Sequence, residues 1–448
     1  MLGQYVLNQG GKMRNKSRQI FISLAVASTL GGASALASAA GFALIEQSAS
    51  GLGNAFAGAA ATAEDASTVF FNPAGMSQLK ESQIVVAAHA ISLSAKFSGT
   101  ATNPLALGGG AASGDTGGDA GGVGFVPNAY FVMPIGEKFN FGVGVSAPFG
   151  LKTEYDNTWV GRFQGIKSDI KTINVNPALS YKVNDSFAVG IGLDYQTLDA
   201  ELTNAVVLGP GLEGRANLSA DDDAWGWNVG VLFNVTPATR IGVSYRSGID
   251  YNLTGTTTVT NNATGAVVSA ASGPTNADIS LPAMFSLSVS HQLNEAWEIL
   301  GDVTYTNWST IQTVNVVNST TGTNRDILRL NFDNSYRVSI GANYKHSESL
   351  MLKGGIAYDQ TPVQDPYRTV RLPDNDRTWL AFGAKYRVTK SAAIDAGYAH
   401  LFISNASINN TRGQLTPTGA PSPSTNTTVT GSYEGSVDIL SIQYTQSF

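Results

Sequence analysis

Fourteen segments in which apolar or aromatic residues alternate with small or polar ones run from residue 82 to the C terminus. This alternation is typical of β-strands, because successive side chains of a strand point to opposite faces. An even strand number is what single-chain bacterial outer-membrane barrels have. The predicted strands cover residues 82–97, 126–134, 140–149, 168–183, 187–203, 223–235, 239–254, 277–293, 296–311, 329–346, 349–360, 377–389, 391–404 and 431–448.

The connections between these segments alternate in length. Short ones lie at 136–138, 184–185, 236–237, 294–295, 347–348 and 389–390. Long ones, rich in Gly, Ser, Thr and Asn, cover 98–125, 150–167, 204–222, 255–276, 312–328, 361–376 and 405–430. Short turns at one end and long loops at the other are the layout of an outer-membrane barrel. The sequence therefore predicts an all-β transmembrane barrel of 14 antiparallel strands over residues 82–448, with the short turns in the periplasm.

Composition supports a membrane barrel over a water-soluble sheet protein. Only 13% of the residues are charged and 49 are glycine, whereas about a quarter of a soluble domain is charged. Beyond the first 30 residues no run approaches the ~20 apolar residues of a membrane helix, and in lipid a sheet must close on itself. The net charge of −6 argues against nucleic-acid binding. The absence of cysteine excludes disulfides and thiolate chemistry.

The N-terminal 39 residues have the pattern of a signal peptide. Basic residues within 12–18 precede an apolar stretch at 20–30, and Ala37 and Ala39 fit the small-residue cleavage pattern. We expect cleavage after Ala39 and export to the bacterial outer membrane. A membrane anchor helix is the alternative, but the apolar stretch is short for one.

The C-terminal strand is strictly amphipathic and ends on an aromatic residue. Every second residue from Leu440 to Phe448 lies on one face, and polar residues lie on the other. This ending resembles the signal that the bacterial barrel-assembly machinery reads. We therefore expect that machinery, lipopolysaccharide and outer-membrane lipid as partners of a monomeric barrel.

Residues 40–81 lack strand alternation and are rich in alanine, with glycine and proline breaks. Fourteen strands enclose more space than their own side chains can fill. A compact, partly helical hatch inside the lumen would therefore have room. A periplasmic extension is the alternative that the residues leave open.

Short motifs along the chain resemble the FadL family of outer-membrane transporters for long-chain fatty acids, which includes relatives that admit aromatic hydrocarbons. The resemblance covers nearly the whole chain after the signal peptide. The motifs that carry it are Ala40-Gly41-Phe42, Gly51-Leu52-Gly53, Glu64-Asp65-Ala66, Asn72-Pro73-Ala74, Ala147-Pro148-Phe149-Gly150-Leu151 with Trp159-x-Gly161-Arg162, Trp308-Ser309, Gly355-Ile356-Ala357-Tyr358-Asp359 and Leu372-Pro373-Asp374.

The resemblance implies a transport path with three parts. Extracellular loops capture the ligand, a pocket beside the hatch binds it, and a kinked third strand lets it leave sideways into the membrane. Phe42 and Arg162 are the implied pocket residues, and Gly142, Gly144 and Pro148 mark the implied lateral gap. The alternatives are that Phe42 only fastens the hatch, that Arg162 is an ordinary loop arginine, and that the glycines reflect strand curvature.

The hatch motifs imply residues that hold or gate the plug. A turn built on Asn72 would set the hatch against the wall. The two acidic residues would bond to wall cations, or would simply be solvated. The full predicted set is Gly51, Gly53, Glu64, Asp65, Asn72, Pro73 and Ala74.

Two other functions are possible for such a barrel besides transport of hydrophobic molecules. An outer-membrane enzyme is disfavoured, because the four histidines stand alone and none lies in an H-E-x-x-H or G-x-S-x-G setting; we expect no catalytic residues, metal or cofactor. A general diffusion porin needs an open lumen with rings of charge, which the low charge and the hatch argue against. Long-chain fatty acids are the preferred ligand, and aromatic hydrocarbons are the alternative.

Overall fold

The computed structural model describes residues 41–416 and 420–448. The predicted signal peptide lies outside the described residues. The described chain forms a single sheet of twenty strands. The strands are β1 (Gln83–Ala101), β2 (Gly122–Ile135), β3 (Phe139–Ser146), β4 (Gly150–Glu154), β5 (Lys167–Lys182), β6 (Phe187–Gly209), β7 (Leu212–Thr236), β8 (Thr239–Arg246), β9 (Ile249–Asn261), β10 (Gly273–Leu281), β11 (Met284–Gln292), β12 (Trp297–Thr306), β13 (Thr313–Asn318), β14 (Asn324–Arg329), β15 (Ser335–Lys345), β16 (Leu350–Asp359), β17 (Arg377–Arg387), β18 (Ala392–Ile403), β19 (Ala406–Arg412) and β20 (Thr427–Ser447).

Fourteen of these described strands pair in a closed antiparallel ring, which confirms the predicted barrel. Around the ring the order is β1, β2, β3, β5, β6, β7, β8, β11, β12, β15, β16, β17, β18 and β20, and β20 pairs again with β1. The other six, β4, β9, β10, β13, β14 and β19, extend the wall at the long-loop end.

The long connections are more ordered than the sequence predicted. The segment 204–222 was expected to be a loop, but β6 and β7 continue to a tight turn at Pro210 and Gly211. The segments 255–276, 312–328 and 405–430 likewise contain strand. In these extensions the outward side chains are largely polar, as at Arg215 and Ser219 of β7. The apolar outer face that marks a lipid-facing strand is therefore absent while the backbone ladder persists. The predicted third strand, 140–149, in fact ends at Ser146.

The outward face of the barrel suits a bilayer. Apolar side chains such as Ile191, Phe382 and Ile442 are exposed there. Aromatic pairs lie near both ends of the wall, as in the girdles of membrane barrels. The pairs are Tyr195–Trp225, Trp227–Tyr245 and Tyr305–Tyr336 towards the long loops, and Phe139–Tyr181 and Trp297–Tyr344 towards the short turns.

The hatch consists of short helices packed against the inner faces of the wall strands. The helices are α1 (Ala49–Leu52), α2 (Ala59–Thr62), α3 (Thr68–Phe71) and a 3-10 helix at Pro73–Gln78. Further 3-10 turns lie in the connections at Leu105–Leu107, Trp308–Thr310, Asp365–Tyr367 and Pro423–Thr425. Among the described residues no helix is long and apolar enough to cross a membrane.

Glycines in the wall make room for the hatch. A Cβ atom at Gly230 would lie only 1.9 Å from Oδ1 of Asn72, and one at Gly190 would lie 2.4 Å from the backbone nitrogen of Ala74. Real Cβ atoms do not approach other atoms so closely, so the Asn72-Pro73-Ala74 turn can sit against β6 and β7 only because both positions lack a side chain.

We therefore expect Gly230→Ala to displace the hatch while leaving the barrel closed. Overpacking of this kind costs about 1–3 kcal/mol. Peptide-level hydrogen exchange should show faster exchange for residues 59–78 than in the unmodified protein. Gly354→Ala is the control, because no atom lies within 4 Å of the Cβ it would introduce. Equal exchange in both variants would contradict this packing role.

Candidate functional site

The barrel wall is interrupted after the third strand. The ladder between β2 and β3 ends at the pair Ala129–Val145, and the chain resumes as β4, which pairs with β5 and not with β2. Pro148 lies in the interruption and has no N–H to donate to a ladder. Along residues 122–128, β2 therefore pairs with β1 on one edge and with no described strand on the other. We call this interruption the wall break.

The start of the hatch lies against the wall break. The backbone N–H of Leu44 donates to the carbonyl of Pro148 at 2.7 Å, and the N–H of Gly150 donates to the carbonyl of Phe42 at 2.9 Å. Ala43 and Phe149 thereby form an isolated antiparallel bridge. Residues 42–44, here called the N-terminal segment, thus supply backbone partners that no wall strand supplies at this point.

Aromatic packing fixes the N-terminal segment. The Phe42 ring lies 4.9 Å from the Trp308 ring and 6.0 Å from the Phe149 ring, and Phe42 is only 3% exposed. The preceding Gly41 donates its N–H to Oδ2 of Asp374 at 2.8 Å. Phe42 therefore packs the segment against Phe149 and Trp308, and Gly41 bonds it to a long connection. Contact of Phe42 with a ligand stays a prediction.

An internal cavity of about 100 Å³ lies directly behind the N-terminal segment. We call it the inner cavity. Leu44 lines it, and Phe42 lies beside it within the same apolar cluster. Its apolar lining comes from the hatch and the wall together: Ala43, Leu44, Ile45, Ala59, Ala60, Phe70, Phe71, Pro73, Val229, Met284 and Trp308.

The charged side chains at the inner cavity are balanced. Arg246 forms an ion pair with Asp194, and its Nη2 also donates to the carbonyl of Phe70 at 3.1 Å. Arg337 donates to the carbonyl of Ala55 at 2.8 Å. Asp302 and Asp359 line the same cavity. The cavity therefore offers an apolar surface without an evident excess of positive charge.

The two glycines predicted for the lateral gap lie below the wall break rather than at it. Both are in the paired part of β3. A Cβ atom at Gly142 would lie 2.4 Å from Sδ of Met76, and one at Gly144 would lie 2.9 Å from the Tyr130 ring. They leave room for neighbouring side chains, whereas Pro148 lies within the break itself.

Arg162 lies away from the inner cavity, contrary to the sequence-based expectation. Its Nη2 is 3.0 Å from Oε2 of Glu213, and its Nη1 donates to the carbonyl of Ser113 at 3.2 Å. These contacts join three of the long connections. The sequence motif alone could not show that the guanidinium of Arg162 forms an ion pair with Glu213, which lies 51 residues away.

Glu64 joins the hatch to two lysines of the wall. Its carboxylate lies 2.8 Å from Nζ of Lys353 and 3.0 Å from Nζ of Lys385, and it accepts a hydrogen bond from Ser50. Asp65 is buried and accepts a hydrogen bond from the amide of Gln443 on β20. Glu64 thus forms ion pairs with wall lysines, whereas Asp65 accepts a hydrogen bond from a neutral wall side chain.

Two carboxyl groups of the hatch differ in their proton affinity. Burial raises the pKa of Glu46 to about 7, and neither of its carboxylate oxygens has a hydrogen-bond partner among the described residues. Burial acts in the same direction on Glu64, but Lys353 and Lys385 outweigh it and hold the pKa of Glu64 well below its usual value. Glu64 therefore remains deprotonated at neutral pH.

The remaining predicted hatch residues set the plug against the wall. The amide of Asn72 donates to the carbonyl of Ala60 at 2.7 Å and to that of Val231 at 3.0 Å. A Cβ atom at Gly53 would lie 2.9 Å from Cα of Gly383, and one at Gly51 would meet the Phe56 ring at 2.6 Å. These positions therefore serve close packing rather than ligand contact.

Several site residues were missed by sequence reasoning. A basic residue on the inward face of a wall strand is rare unless an anion or a carbonyl group pairs with it. This pattern could have identified Lys353, Lys385 and Arg337 from the sequence. Trp308 belongs to a family motif, but only the fold shows that it packs on Phe42.

We expect Glu64→Gln to loosen the hatch. Lys353 has only 1% of its side chain exposed and keeps one other carboxylate nearby, that of Asp395 at 3.5 Å. Loss of the Glu64 charge therefore leaves Lys353 and Lys385 with less compensating negative charge, at a cost of up to about 3 kcal/mol. Hydrogen exchange of residues 48–66 should accelerate. The matched control is Glu348→Gln, because Glu348 pairs with Lys345 at an exposed turn and such pairs contribute little. A hatch as protected as in the unmodified protein would count against the role of Glu64.

A closed fourteen-stranded barrel with an internal hatch and a wall break defines an outer-membrane transport protein. Comparison with known proteins makes the assignment specific: residues 31–448 match the family model described as "Outer membrane protein transport protein (OMPP1/FadL/TodX)". The chain belongs to this family. Its members carry hydrophobic molecules across the outer membrane and are transport channels rather than enzymes.

Relatives and solved structures agree with this assignment. Outer membrane protein P1 of Haemophilus influenzae is 32% identical, covering 86% of this chain and 90% of its own. The long-chain fatty acid transport protein of Salmonella typhi is 28% identical, covering 88% and 94%. A Pseudomonas aeruginosa FadL homologue has a similar fold, with a TM-score of 0.84 at 23% identity, covering 91% and 100%. The Pseudomonas putida toluene transporter TodX gives 0.64 at 17%, covering 86% and 94%.

Proposed function

We propose that this protein carries long-chain fatty acids inward across the outer membrane and releases them sideways through the wall break. The observation that carries the proposal is the double role of Leu44. Its side chain lines the inner cavity, while its backbone N–H donates to Pro148 in the wall break. A ligand that displaces the Leu44 side chain would therefore also weaken the hydrogen bond from Leu44 to Pro148 at the wall break.

The energies involved are compatible with a segment that moves. Two backbone hydrogen bonds hold residues 42–44 to the wall, and each contributes about 1 kcal/mol net. The aromatic contacts of Phe42 add to this. When residues 42–44 leave the wall, the acyl chain of the ligand can take the place of part of their apolar packing. Each CH₂ group that it buries contributes about 0.8 kcal/mol, which offsets much of the lost packing energy.

The outer surface next to the wall break is apolar. Val123 and Phe125 on β2 are each 58% exposed and lie on the stretch that has no described strand partner on its β3 side. A hydrophobic ligand leaving there would pass from an apolar cavity to apolar side chains and then to acyl chains. It would not have to enter water.

Uptake of aromatic hydrocarbons is the second candidate. A small apolar cavity with balanced charge accepts an uncharged ring as readily as an acyl chain, and toluene transporters share the fold. The fatty acid is preferred because curated relatives with that function match 88% of this chain at 27–28% identity. A general porin is disfavoured because the hatch packs into the lumen.

The remaining steps of biogenesis belong to the same proposal. Residues 1–39 would direct export and be removed, and the strand ending at Phe448 would be read by the barrel-assembly machinery. The barrel would then work as a monomer among lipopolysaccharide and outer-membrane lipids, whose acyl chains the exposed apolar side chains of the wall would meet.

A reversible cross-link tests lateral release. Ala43 and Phe149 form the non-hydrogen-bonded pair of their bridge, for which Cα atoms lie about 4.5 Å apart, within the range that a disulfide spans. The chain has no cysteine of its own. We expect the Ala43→Cys/Phe149→Cys variant to take up fatty acid when reduced and to lose most uptake when oxidised.

The reduced double variant and the two oxidised single variants are the controls, since they contain the same side-chain losses without the tether. Undiminished uptake by the oxidised double variant, with the disulfide verified by mass spectrometry, would contradict release past the N-terminal segment.

A further inference from the structure

Glu46 of the hatch is completely buried, and neither oxygen of its carboxyl group has a hydrogen-bond partner among the described residues. A buried carboxylate without partners is far more costly than the neutral acid, and burial raises the pKa of Glu46 to about 7. Glu46 follows two residues after Leu44, which lines the inner cavity and bonds to the wall break. A change in its charge therefore acts next to the proposed exit.

The wall presents a row of three charged side chains to Glu46. Arg337, Asp359 and Arg377 occupy directly paired positions on β15, β16 and β17, and all three are buried. These three are also the charged groups that act on the carboxyl group of Glu46. From β2, the neutral amide of Asn128 donates to the backbone carbonyl of Glu46 at 3.0 Å.

Both arginines of this row have hydrogen-bond donors to spare. Nη2 of Arg337 donates to the carbonyl of Ala55 at 2.8 Å, and Nη2 of Arg377 pairs with Asp374. Nε and Nη1 of both arginines are buried and have no hydrogen-bond partner in the part of the chain that the structure describes. The described conformation thus leaves an ion pair of Glu46 unmade, although both of its halves are present.

Arg377 is also connected to the start of the hatch. Its partner Asp374 accepts the backbone N–H of Gly41 at Oδ2, at 2.8 Å, and pairs with Arg377 through Oδ1. Gly41 and Glu46 flank the N-terminal segment on its two sides. One wall arginine therefore lies at both flanks, and withdrawal of the segment would take the Gly41 N–H away from Asp374.

The residues after the N-terminal segment provide a fixed point about which it can turn. The amide of Asn128 donates to the carbonyl of Glu46 and to Oε1 of Gln47, and the Tyr130 hydroxyl donates to the carbonyl of Gln47 at 3.0 Å. Gln47 in turn donates to the carbonyl of Leu44 at 2.9 Å, a bond that withdrawal would break. The Glu46 side chain can thus change direction while its main chain stays on β2.

We propose that Glu46 is the proton-linked switch of the N-terminal segment: when a ligand displaces residues 42–44, its carboxyl group releases a proton to solvent and pairs with Arg377 and Arg337, which holds the wall break open. The inference rests on the proposed function and deepens it by assigning the control of the lateral exit. Hydrogen bonds between a guanidinium and a carboxylate are charge-assisted and stronger than neutral ones. The ion pair therefore offsets part of the contacts that residues 42–44 lose.

Opening coupled to deprotonation fixes the direction of the pH dependence. With the segment closed, the pKa of Glu46 is about 7, and an adjacent guanidinium lowers the pKa of a carboxyl group by about 1–3. The closed state therefore binds the proton more tightly, and its advantage over the open state is complete at low pH. This advantage is lost as the pH rises from the open-state pKa to about 7, and it changes no further above that.

Proton release on ligand binding tests the switch on the purified full-length protein in a non-ionic detergent. The ligand is the 12-carbon alcohol, which has no titrating group of its own at the pH values used. Titration calorimetry in two buffers of different ionisation enthalpy gives the number of protons released per ligand bound. We expect about half a proton or more at pH 6.5, and close to none at pH 9, where Glu46 is deprotonated in both states.

Four variants locate the proton. Glu46→Gln imitates the protonated acid and should bind the alcohol without releasing a proton, whereas Glu46→Asp keeps an acidic group and should restore most of the release. Arg377→Gln should about halve the release at pH 6.5, because the ion pair loses one of its two guanidiniums. Glu348→Gln is the matched control and should leave the release unchanged, since Glu348 pairs with Lys345 at an exposed turn.

The outcomes separate the switch from the proposed function. No release by the unmodified protein at pH 6.5, or equal release by Glu46→Gln, would overturn the switch while leaving hydrophobic transport intact. If only the 12-carbon acid binds, its own titration is common to both proteins, so the difference in release between them remains the readout. Failure to bind either ligand would contradict the proposed function itself.

Discussion

The structure depends on the requirement that backbone groups of a membrane-spanning sheet find partners within the protein. Fourteen strands meet this requirement by closing into a ring, except after Val145, where the third strand stops pairing with the second. Residues 42–44 of the hatch lie against this interruption and exchange two backbone hydrogen bonds with it. The hatch thus fills the lumen and supplies backbone partners to one edge of the interruption. In the proposed mechanism, movement of its first residues opens a path sideways.

The rest of the hatch is held more firmly than its beginning. Wall glycines such as Gly190 and Gly230 admit the Asn72 turn to contact distance, and Glu64 meets two lysines of the wall. These contacts distribute over β6, β7, β16 and β17. A local movement of residues 42–44 therefore needs far fewer broken contacts than expulsion of the whole plug, which favours release through the wall over passage along the barrel axis.

The strand number and the closed ring were predictable from the sequence, because period-two alternation marks strands with one face in lipid. The lack of alternation in residues 40–81 left a hatch and a periplasmic extension equally open, and only the family resemblance favoured the hatch. The strand extensions were not predictable, since segments such as 204–222 lack an apolar outward face and contain the glycine and proline that are typical of loops. The pocket role expected of Arg162 also differs from its place in the structure. Its partner, Glu213, lies in another long connection, and such pairings follow from the fold and not from local pattern.

The central claim is that ligand binding releases the N-terminal segment from the wall break, and amide-resolved hydrogen exchange by NMR tests it most directly. With a saturating 12-carbon fatty acid, the amides of Leu44 and Gly150 should exchange at least about tenfold faster, because their hydrogen bonds open. The amide of Ala74, bonded to Asn72 in the body of the hatch, should not change. Unaltered exchange at Leu44 and Gly150 in the ligand-bound protein would contradict the account.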